Sequence, residues 1–278
     1  MEIITLPNDL KIAASSFQVY DYRTSTSCFR QMVSLKQNTF SFLMEGNKEV
    51  FSDKTSTAIE ASSFLLMKTG HCLMTEKLSN TQNNYRSILF FFSNEAVFDF
   101  IQKHKIRATD DPVRESIHRF QYDNFLRRFV QGLIDISTLD PTLQTKLLAL
   151  KFEELPLYLQ EVKGVDFVFS LISDIDNKSQ HFIEVVETNT LNKLTLKELA
   201  FLSNMSVSTF KREFKKHFNT PPIRWFQEKR LEHSAFLLKS KSIRPSDIFE
   251  ETGYENLSNF IQAFKAKFGV TPKQYQTN

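Results

Sequence analysis

Two copies of one aromatic pattern, offset by fifty residues, constrain the fold of this chain more than any other feature. Side chains at i, i+4 and i+8 lie along one face of an α-helix. Asparagine or glycine after such a run, followed by proline, ends the helix. Each copy therefore predicts a helix with a buried aromatic stripe and a sharp stop. The residues are Phe210, Phe214, Phe218, Asn219, Pro222 and Trp225, then Phe260, Phe264, Phe268, Gly269, Pro272 and Tyr275.

A short helix and a turn precede each of these helices. In the first copy, the apolar pattern of residues 194–202 predicts a short helix before the turn Ser203-Asn204, and Ser206 can cap the helix that follows. In the second copy, residues 245–248 open a helix and Thr252-Gly253 breaks it. Two short helices joined by a tight turn form a helix-turn-helix. The sequence therefore predicts two such motifs in tandem.

A longer helix is predicted between the two motifs. Pro221-Pro222 marks its start, and the apolar pattern continues to about Lys239. Some 17 residues at about 1.5 Å each give a rod of roughly 25 Å. Such a rod can hold two recognition helices near the repeat of DNA, about 34 Å, so that both enter successive major grooves of one duplex.

The aromatic stripes also predict which residues of the two helices face outward. Both outward faces combine hydrogen-bonding side chains with cations, which suits a DNA duplex, because cations meet phosphates while Arg, Gln, Asn or Ser meet base edges. The predicted DNA-binding residues are Ser208, Thr209, Lys211, Arg212, Lys215 and Lys216 in the first copy and Ser258, Asn259, Gln262, Lys265 and Lys267 in the second. Arg212 is the first choice for reading bases. Lys215, Lys216, Lys265 and Lys267 are expected to contact phosphate.

The charge distribution supports a nucleic-acid partner for this part of the chain. Residues 193–278 contain 15 Lys and Arg against 8 Asp and Glu, a net charge of +7. Because the whole chain carries +3, the preceding residues sum to −4. The basic excess therefore lies with the tandem motif.

About 85 residues at the C-terminus carry a family resemblance that spans both motifs and the joining helix. The matching residues are Leu199-Ala200, Ser206, Phe210, Arg212, Phe214, Pro222, Trp225, Arg230-Leu231, Ala235, Leu237-Leu238, Asp247-Ile248, Gly253-Tyr254, Phe260, Phe264-Lys265, Phe268-Gly269, Thr271-Pro272 and Tyr275. This set resembles the DNA-binding domain of AraC/XylS-type transcription regulators.

The resemblance implies a sequence-specific regulator, such as an activator, that binds double-stranded promoter DNA, with RNA polymerase as a candidate partner. In that family, base contacts come from positions that fall here on Ser208, Lys211 and Arg212, and on Ser258 and Gln262 in the second motif. Two residues depart from the family pattern. Phe249 stands where a small alanine is usual, and Gln276 replaces a common arginine.

Length and composition leave room for a second domain. A chain of 278 residues with 41% hydrophobic content can form two cores, and the C-terminal module leaves about 180 residues before it. Cys28 and Cys72 lack metal-like spacing, so reduced thiols are expected. The chain opens with no signal-like segment, and no apolar run approaches the length of about 18 residues that spans a membrane. A soluble cytoplasmic protein without a membrane partner is expected.

The first part of the chain, from about residue 16 to 93, is predicted to form strands. Short stretches rich in aromatic and branched residues recur about every ten residues, which is typical of a sandwich or barrel. Glu45-Gly46-Asn47 and Thr69-Gly70 are predicted turns. The predicted strands are 17–22, 28–35, 39–44, 49–51, 62–68, 71–75 and 86–92. The sequence segments 42–46 and 64–70 also resemble the cupin-like sensor domain of many AraC-type regulators.

Helices are predicted from about residue 94 to 163. The amphipathic segment 95–105 is followed by a break at residues 110–112, a helical pattern at 116–136, and a helix that opens with Asp140-Pro141 and ends near Gly164. Leucines in the last helix are expected either to cover the barrel or to pair with a second subunit. They are Leu143, Leu147, Leu150, Leu155 and Leu159. Helices at this place mediate dimerisation in the family, so the resemblance implies a homodimer.

Three functions are compatible with these features. The prediction is a DNA-binding transcription regulator, controlled by a small-molecule effector or a protein partner on its N-terminal domain. The alternative is a sensor or protein-interaction module whose DNA binding has weakened. A cupin enzyme is disfavoured, as are a metal site and any other cofactor, because the six histidines are scattered and no catalytic motif occurs. The histidines are His71, His104, His118, His181, His217 and His233.

The apolar residues of the barrel segment allow two interpretations, an effector pocket or ordinary core, and the effector-binding residues stay unknown. The residues in question are Phe40, Phe42, Met44, Phe51, Phe64, Leu66, Met67, Phe90, Phe91 and Phe92. The predicted fold class is α+β with two domains: a cupin-like β-barrel with helices at its C-terminal side, then an all-α domain with two helix-turn-helix motifs joined by a long helix. The expected boundaries are 1–165, a linker at 166–179, and 180–278.

Overall fold

The computed structural model of the chain describes residues 2–12, 15–52, 56–79, 83–107, 117–171, 178–240, 243–249, 252, 254 and 256–277. The chain divides into two compact units, Met1–His181 and Phe182–Asn278. The first unit is β-rich and the second is helical, which confirms the predicted two-domain α+β class. The predicted linker, 166–179, includes a short helix at Asp166–Ser170, while its polar segment, 172–177, lies outside the described residues. The linker stays a prediction.

The strands of the N-terminal unit follow the predicted order, with three additions. Glu45-Gly46-Asn47 and Thr69-Gly70 turn the chain as expected, and Gly46 and Gly70 have positive φ angles of 90° and 141°. Strands β1, β6 and β10 were not predicted. The strands are β1 (Ile4–Leu6), β2 (Phe17–Thr24), β3 (Cys28–Leu35), β4 (Asn38–Glu45), β5 (Asn47–Phe51), β6 (Ser56–Glu60), β7 (Ser63–Met67), β8 (Gly70–Lys77), β9 (Tyr85–Phe92) and β10 (Ile117–Gln121).

These strands form two five-stranded sheets. The first sheet has the order β1-β3-β8-β5-β6, and the second has the order β10-β7-β4-β9-β2. Strand β1 runs parallel to β3, and the other described pairs are antiparallel. One core combines buried residues of both sheets, including Val50 and Met74 from the first and Leu65 and Phe91 from the second. The sheets therefore pack face to face as a sandwich.

Helices cover the other face of the second sheet. They are α1 (Asn94–Lys103), α2 (Asn124–Ser137), α3 (Pro141–Lys163) and α4 (Asp166–Ser170). Phe90 and Phe92 face these helices while Phe91, between them, faces the first sheet. A ring contact of 5.0 Å between Phe92 and Phe152 joins the sheet to α3. The second sheet is thus buried on both faces, which explains its nearly continuous apolar sequence.

The burial pattern decides between the two interpretations of the barrel phenylalanines. All the residues named for a pocket are buried except Met44, which is 37% exposed. Six of them, Phe40, Phe42, Phe64, Leu66, Phe90 and Phe92, lie in the core under the helices, outside the sandwich interior. Met67 and Phe91 lie in the core between the sheets. These side chains fill two cores.

One helix prediction in this unit is wrong in part. Helix α2 begins at Asn124, with Asp123 as its cap, whereas residues 117–121 form strand β10 beside β7. Phe120 packs on Phe64 at a ring distance of 4.9 Å, so pairing with a neighbouring strand overrides the local helical pattern. Helices α1 and α3 lie where the sequence predicted them. The predicted break at 110–112 lies outside the described residues.

The leucines of α3 separate into two faces. Leu155 and Leu159 are buried against the sheet, and Leu147 is partly buried there. Leu143, Leu150 and Leu157 are 47%, 66% and 41% exposed. Because they recur every seven residues, they share one face of the helix. The predicted set therefore combined core residues with a solvent-facing stripe.

A buried ion pair lies inside the sandwich. The Lys48 ammonium is 3.3 Å from a Glu76 carboxylate oxygen, and the two side chains are only 2% and 9% exposed. Lys48 also donates a hydrogen bond of 3.1 Å to the Ser41 hydroxyl. Burial raises the pKa of the neighbouring Tyr85 hydroxyl. Two charges held in an apolar interior depend on each other, because either one alone would lack compensation.

We expect Lys48→Met to lower the free energy of unfolding of the N-terminal unit by about 3 to 5 kcal/mol, because Glu76 would remain buried without its cation. The double variant Lys48→Met/Glu76→Met should recover most of that loss. Urea unfolding followed by far-ultraviolet circular dichroism measures both. A stability loss in the double variant that equals the sum of the losses in Lys48→Met and Glu76→Met would contradict this coupling.

Candidate nucleic-acid interface

The C-terminal unit contains the helices of two helix-turn-helix motifs. Helix α5 (Lys178–Thr188) crosses the division between the units. The helices that follow are α6 (Leu196–Leu202), α7 (Val207–Phe218), α8 (Pro222–Ser240), α9 (Pro245–Ile248), α10 (Leu257–Phe268) and α11 (Pro272–Thr277). Helices α6 and α7 form the first motif, α9 and α10 form the second, and α8 joins them.

Side-chain caps set the ends of the helices in the first motif. Thr195 and Glu198 form a reciprocal capping box at the start of α6. Asn204 turns the chain with a φ angle of 54°, and the Ser206 hydroxyl then accepts a hydrogen bond of 3.2 Å from the Thr209 amide. Asn219 ends α7 in the left-handed conformation. The predicted cap, turn and stop are confirmed.

Ring packing holds α7 in a fixed orientation. Phe210 and Phe214 are completely buried. Trp225, on the first turns of α8, contacts Phe214 and Phe218 at ring distances of 5.6 and 5.0 Å. Phe182 on α5 covers the other end of the stripe, 5.3 Å from Phe210. The role of Phe182 was not predicted, because it lies outside the repeated pattern.

The second motif repeats this packing fifty residues later. Tyr275 takes the place of Trp225 and contacts Phe264 and Phe268 at ring distances of 5.4 and 5.3 Å. Asn256, at the position equivalent to Ser206, caps α10 by accepting a hydrogen bond of 2.8 Å from the Asn259 amide. Gly269 ends the helix with a φ angle of 78°. The cap was missed, although the fifty-residue offset would have located it.

Phe249 and Gln276, the two departures from the family pattern, both make contacts within the second half of the domain. Phe249 follows α9 directly, is partly buried against the core of this motif, and its carbonyl accepts a hydrogen bond from the Thr252 hydroxyl. Gln276 donates hydrogen bonds to the carbonyls of Leu238 and Ile243, at 3.4 and 2.9 Å. Gln276 thereby ties α11 to the chain at the end of α8. Gly253, the predicted breaker, lies outside the described residues.

The outward face of α7 is strongly cationic. Lys211, Arg212, Lys215 and Lys216 are all exposed, as is Ser208. Glu213 approaches Arg212 and Lys216 at 3.6 and 3.9 Å, but both cations are 73% exposed. Such solvated pairs contribute little, so the two cations stay available to a ligand. Thr209 is half-buried, and its hydroxyl lies 2.9 Å from that of Ser206.

The outward face of α10 carries Ser258, Asn259, Gln262 and Lys265, which are all exposed. Lys267 differs from the other predicted residues of this helix. Its ammonium donates to the Glu228 carbonyl at 3.2 Å and to the Glu232 carboxylate at 3.0 Å, both on α8. Hydrogen bonds from Lys229 and Lys267 lower the pKa of Glu232 below its ordinary value. Lys267 therefore binds α10 to α8 within the domain.

Neither a metal cluster nor a membrane span occurs in the parts of the chain that the structure describes. Among those residues, no group of three or more His, Cys, Asp or Glu side chains is arranged to hold a metal ion. None of the described helices is long and apolar enough to cross a bilayer.

Family models match both units. The model described as the ExsA N-terminal regulatory domain matches residues 38–168, and a helix-turn-helix domain model matches residues 199–278. The first match runs from β4 into α4, so it includes strands of both sheets and the helices packed on the second. The other covers both motifs and the joining helix.

Known proteins are similar over one or both units. The HTH-type transcriptional regulator ExsA of Pseudomonas aeruginosa is 23% identical over 261 residues, which cover 90% of this chain and 91% of that protein. The thermoregulatory protein LcrF of Yersinia pestis is 29% identical over 129 residues, 46% of this chain and 48% of LcrF. A crystal structure of apo ToxT from Vibrio cholerae is 16% identical, with a TM-score of 0.45, and covers 95% of this chain and 98% of ToxT.

The different environments of Lys265 and Lys267 give a testable distinction. We expect Lys265→Ala to weaken binding to any duplex and to reduce the slope of log affinity against log salt by about 1, because Lys265 is exposed and is predicted to contact phosphate. Lys267→Ala should instead lower the free energy of unfolding by about 1 kcal/mol, through the loss of its hydrogen bonds to α8. Fluorescence anisotropy at several salt concentrations and urea unfolding separate these effects. Equal salt slopes for the two variants would contradict the distinction.

Proposed function

Because the chain is an AraC-type transcription regulator that binds DNA, we propose that it recognises a bipartite promoter site through the outward faces of α7 and α10. The observation that carries this proposal is the matched construction of the two motifs. In both, an aromatic stripe is packed on the following helix, and most residues of the opposite face are polar and exposed. Helix α8, with 19 residues, spans about 28 Å, which suits two recognition helices on one side of a duplex.

Within this proposal, Arg212 reads bases, and Lys215 and Lys216 contact the phosphate backbone. A guanidinium can donate two hydrogen bonds to the two acceptors of guanine in the major groove. Lysines contribute a charge that neutralises phosphate whatever the sequence. Ser208 and Lys211 lie beside Arg212 on the exposed face and complete the proposed base-reading set of the first motif.

We also propose that two copies of the chain pair through α3. Leu143, Leu150 and Leu157 form an exposed apolar stripe with a seven-residue repeat on this 23-residue helix. A stripe of this kind fits the same helix of a second copy, because each leucine can pack between residues of its partner. Two copies would present four recognition helices to a promoter. Once one copy is bound, the other is held near its own site, so pairing would raise the affinity of each copy without a change in the contacts that it makes.

Control is proposed to act on the N-terminal unit, through a small molecule or a protein partner. The match of this unit to a regulatory domain supports that placement. A cavity of about 530 Å³ in the unit is lined by residues that include charged ones of both signs: Lys77, Arg119, Glu49 and Glu60. Because the phenylalanines fill the cores, this lining favours a polar effector over an apolar one.

The roles within α7 can be separated with two variants. Arg212→Ala is expected to cost about 1 to 3 kcal/mol on the cognate duplex and to relax specificity. Lys216→Ala should weaken cognate and scrambled duplexes alike and flatten the salt dependence. Titration of both variants against both duplexes provides the measurement. Equal losses for Arg212→Ala on the two duplexes would exclude a base-reading role.

Pairing through α3 makes a prediction about Leu150. Leu150→Glu places a charge in the middle of the stripe and is expected to shift a dimer to monomer, with a loss of affinity for a two-site promoter but not for a single site. Val162→Glu is the control, because Val162 is exposed on a different face of the same helix. Sedimentation velocity reports the oligomeric state. A wild-type monomer at tens of micromolar, or equal effects of both variants, would refute pairing through this stripe.

A further inference from the structure

We propose that the two recognition helices read unlike half-sites: α7 a half-site that contains a G·C pair, and α10 one that is rich in A·T pairs. This inference rests on the proposed function, since it assigns base preferences to the two surfaces that contact DNA. It follows from a position-by-position comparison of the two outward faces, which the matched construction of the motifs makes possible.

An offset of fifty residues relates the two helices. It carries Phe210, Phe214 and Phe218 onto Phe260, Phe264 and Phe268, and the helix bounds Val207–Phe218 onto Leu257–Phe268. Corresponding residues therefore have the same orientation relative to the buried stripe. The positions most opposite the stripe are occupied by Thr209, Arg212 and Lys216 in α7, and by Asn259, Gln262 and Ala266 in α10.

The chemistry of the second face suits A·T pairs. In the major groove adenine presents one acceptor and one donor, and a carboxamide presents one donor and one acceptor, so Asn or Gln pairs with adenine through two bonds. Asn259 and Gln262 are exposed, and neither side-chain amide bonds to another described residue. Exposed Ala266 lies between them around the helix and offers a methyl group. Alanine contacts the methyl group of thymine, the partner of adenine.

The first face suits guanine. Guanine presents two acceptors in the major groove, which match the two parallel donors of the Arg212 guanidinium. The residues equivalent to Gln262 and Ala266 are the two cations Arg212 and Lys216, each 73% exposed. At the equivalent position of α10, the Gln262 carboxamide presents one donor and one acceptor, whereas the Arg212 guanidinium presents two donors. The same position therefore favours guanine on α7, where it is Arg212, and adenine on α10, where it is Gln262.

The two faces also divide affinity and discrimination. Lys215 and Lys216 of α7 release counterions when they neutralise phosphates, and this release supplies affinity that does not depend on sequence. On α10 the three positions most opposite the stripe are neutral, and Lys265, to one side of them, is the exposed cation of this helix, since Lys267 is bound to α8. The second motif therefore contributes to binding mainly through hydrogen bonds between its side chains and the base pairs of its half-site.

Selection of bound duplexes from a random pool by the full chain tests this inference. The wild type is expected to enrich two blocks about one helical turn apart, one with a conserved G·C pair and one with A·T pairs. Asn259→Ala/Gln262→Ala should erase the A·T block alone and reduce discrimination against G·C substitutions there by roughly 5- to 150-fold. Gln262→Arg should convert one A·T pair of that block to G·C. Gln227→Ala, at an exposed glutamine of α8, is the matched control and should leave both blocks unchanged.

The possible failures are distinguishable. A wild-type chain that enriches no motif would overturn both the proposed function and this inference. A wild-type motif whose second block shows no A·T preference would overturn the inference alone. The same holds if the A·T block survives unchanged in Asn259→Ala/Gln262→Ala and in Gln262→Arg, because the preference would then come from DNA shape.

Discussion

The packing of two phenylalanines against one aromatic residue of the next helix is the contact on which each DNA-binding motif depends. A helix with one apolar face can still roll about its axis, and a roll of a few tens of degrees would exchange one outward residue for another. The ring contacts of Trp225 with Phe214 and Phe218, and of Tyr275 with Phe264 and Phe268, oppose that motion. Residues such as Arg212 and Gln262 owe their direction to rings on the opposite face.

Burial on two sides explains the composition of the N-terminal unit in a similar way. A sheet with one solvated face alternates polar and apolar residues, but the second sheet here packs on another sheet and on helices. Its strands therefore read as apolar runs, and consecutive phenylalanines such as Phe90 and Phe91 belong to different cores. The same composition that suggested a pocket is what a sheet buried on both faces requires. The charged Lys48–Glu76 pair, on the first sheet, is tolerated in the core between the sheets because each member compensates the other.

Elements with local signals were predictable from the sequence, and elements fixed by distant partners were not. The turn at Gly46, the cap at Ser206 and the stops at Asn219 and Gly269 depend on a few neighbouring residues, and all lie where predicted. Strand β10 was assigned to a helix because its partner, β7, is fifty or more residues away in the sequence. Lys267 was grouped with the outward lysines because helix periodicity does not show that Glu232 lies within reach. The base-reading residues of both helices stay predictions.

The separation of stripe and outward face has a consequence for how such a repeat diverges. The stripe, the cap and the stop determine whether the helix forms and how it packs, and both copies keep all three. The residues opposite the stripe make few contacts within the domain, so substitutions there cost little stability. The first motif could therefore carry glutamine and alanine in place of Arg212 and Lys216, as the second motif does at Gln262 and Ala266, without loss of the fold. Two motifs of one construction can for this reason carry different chemistry toward DNA, one cationic and the other amide-rich.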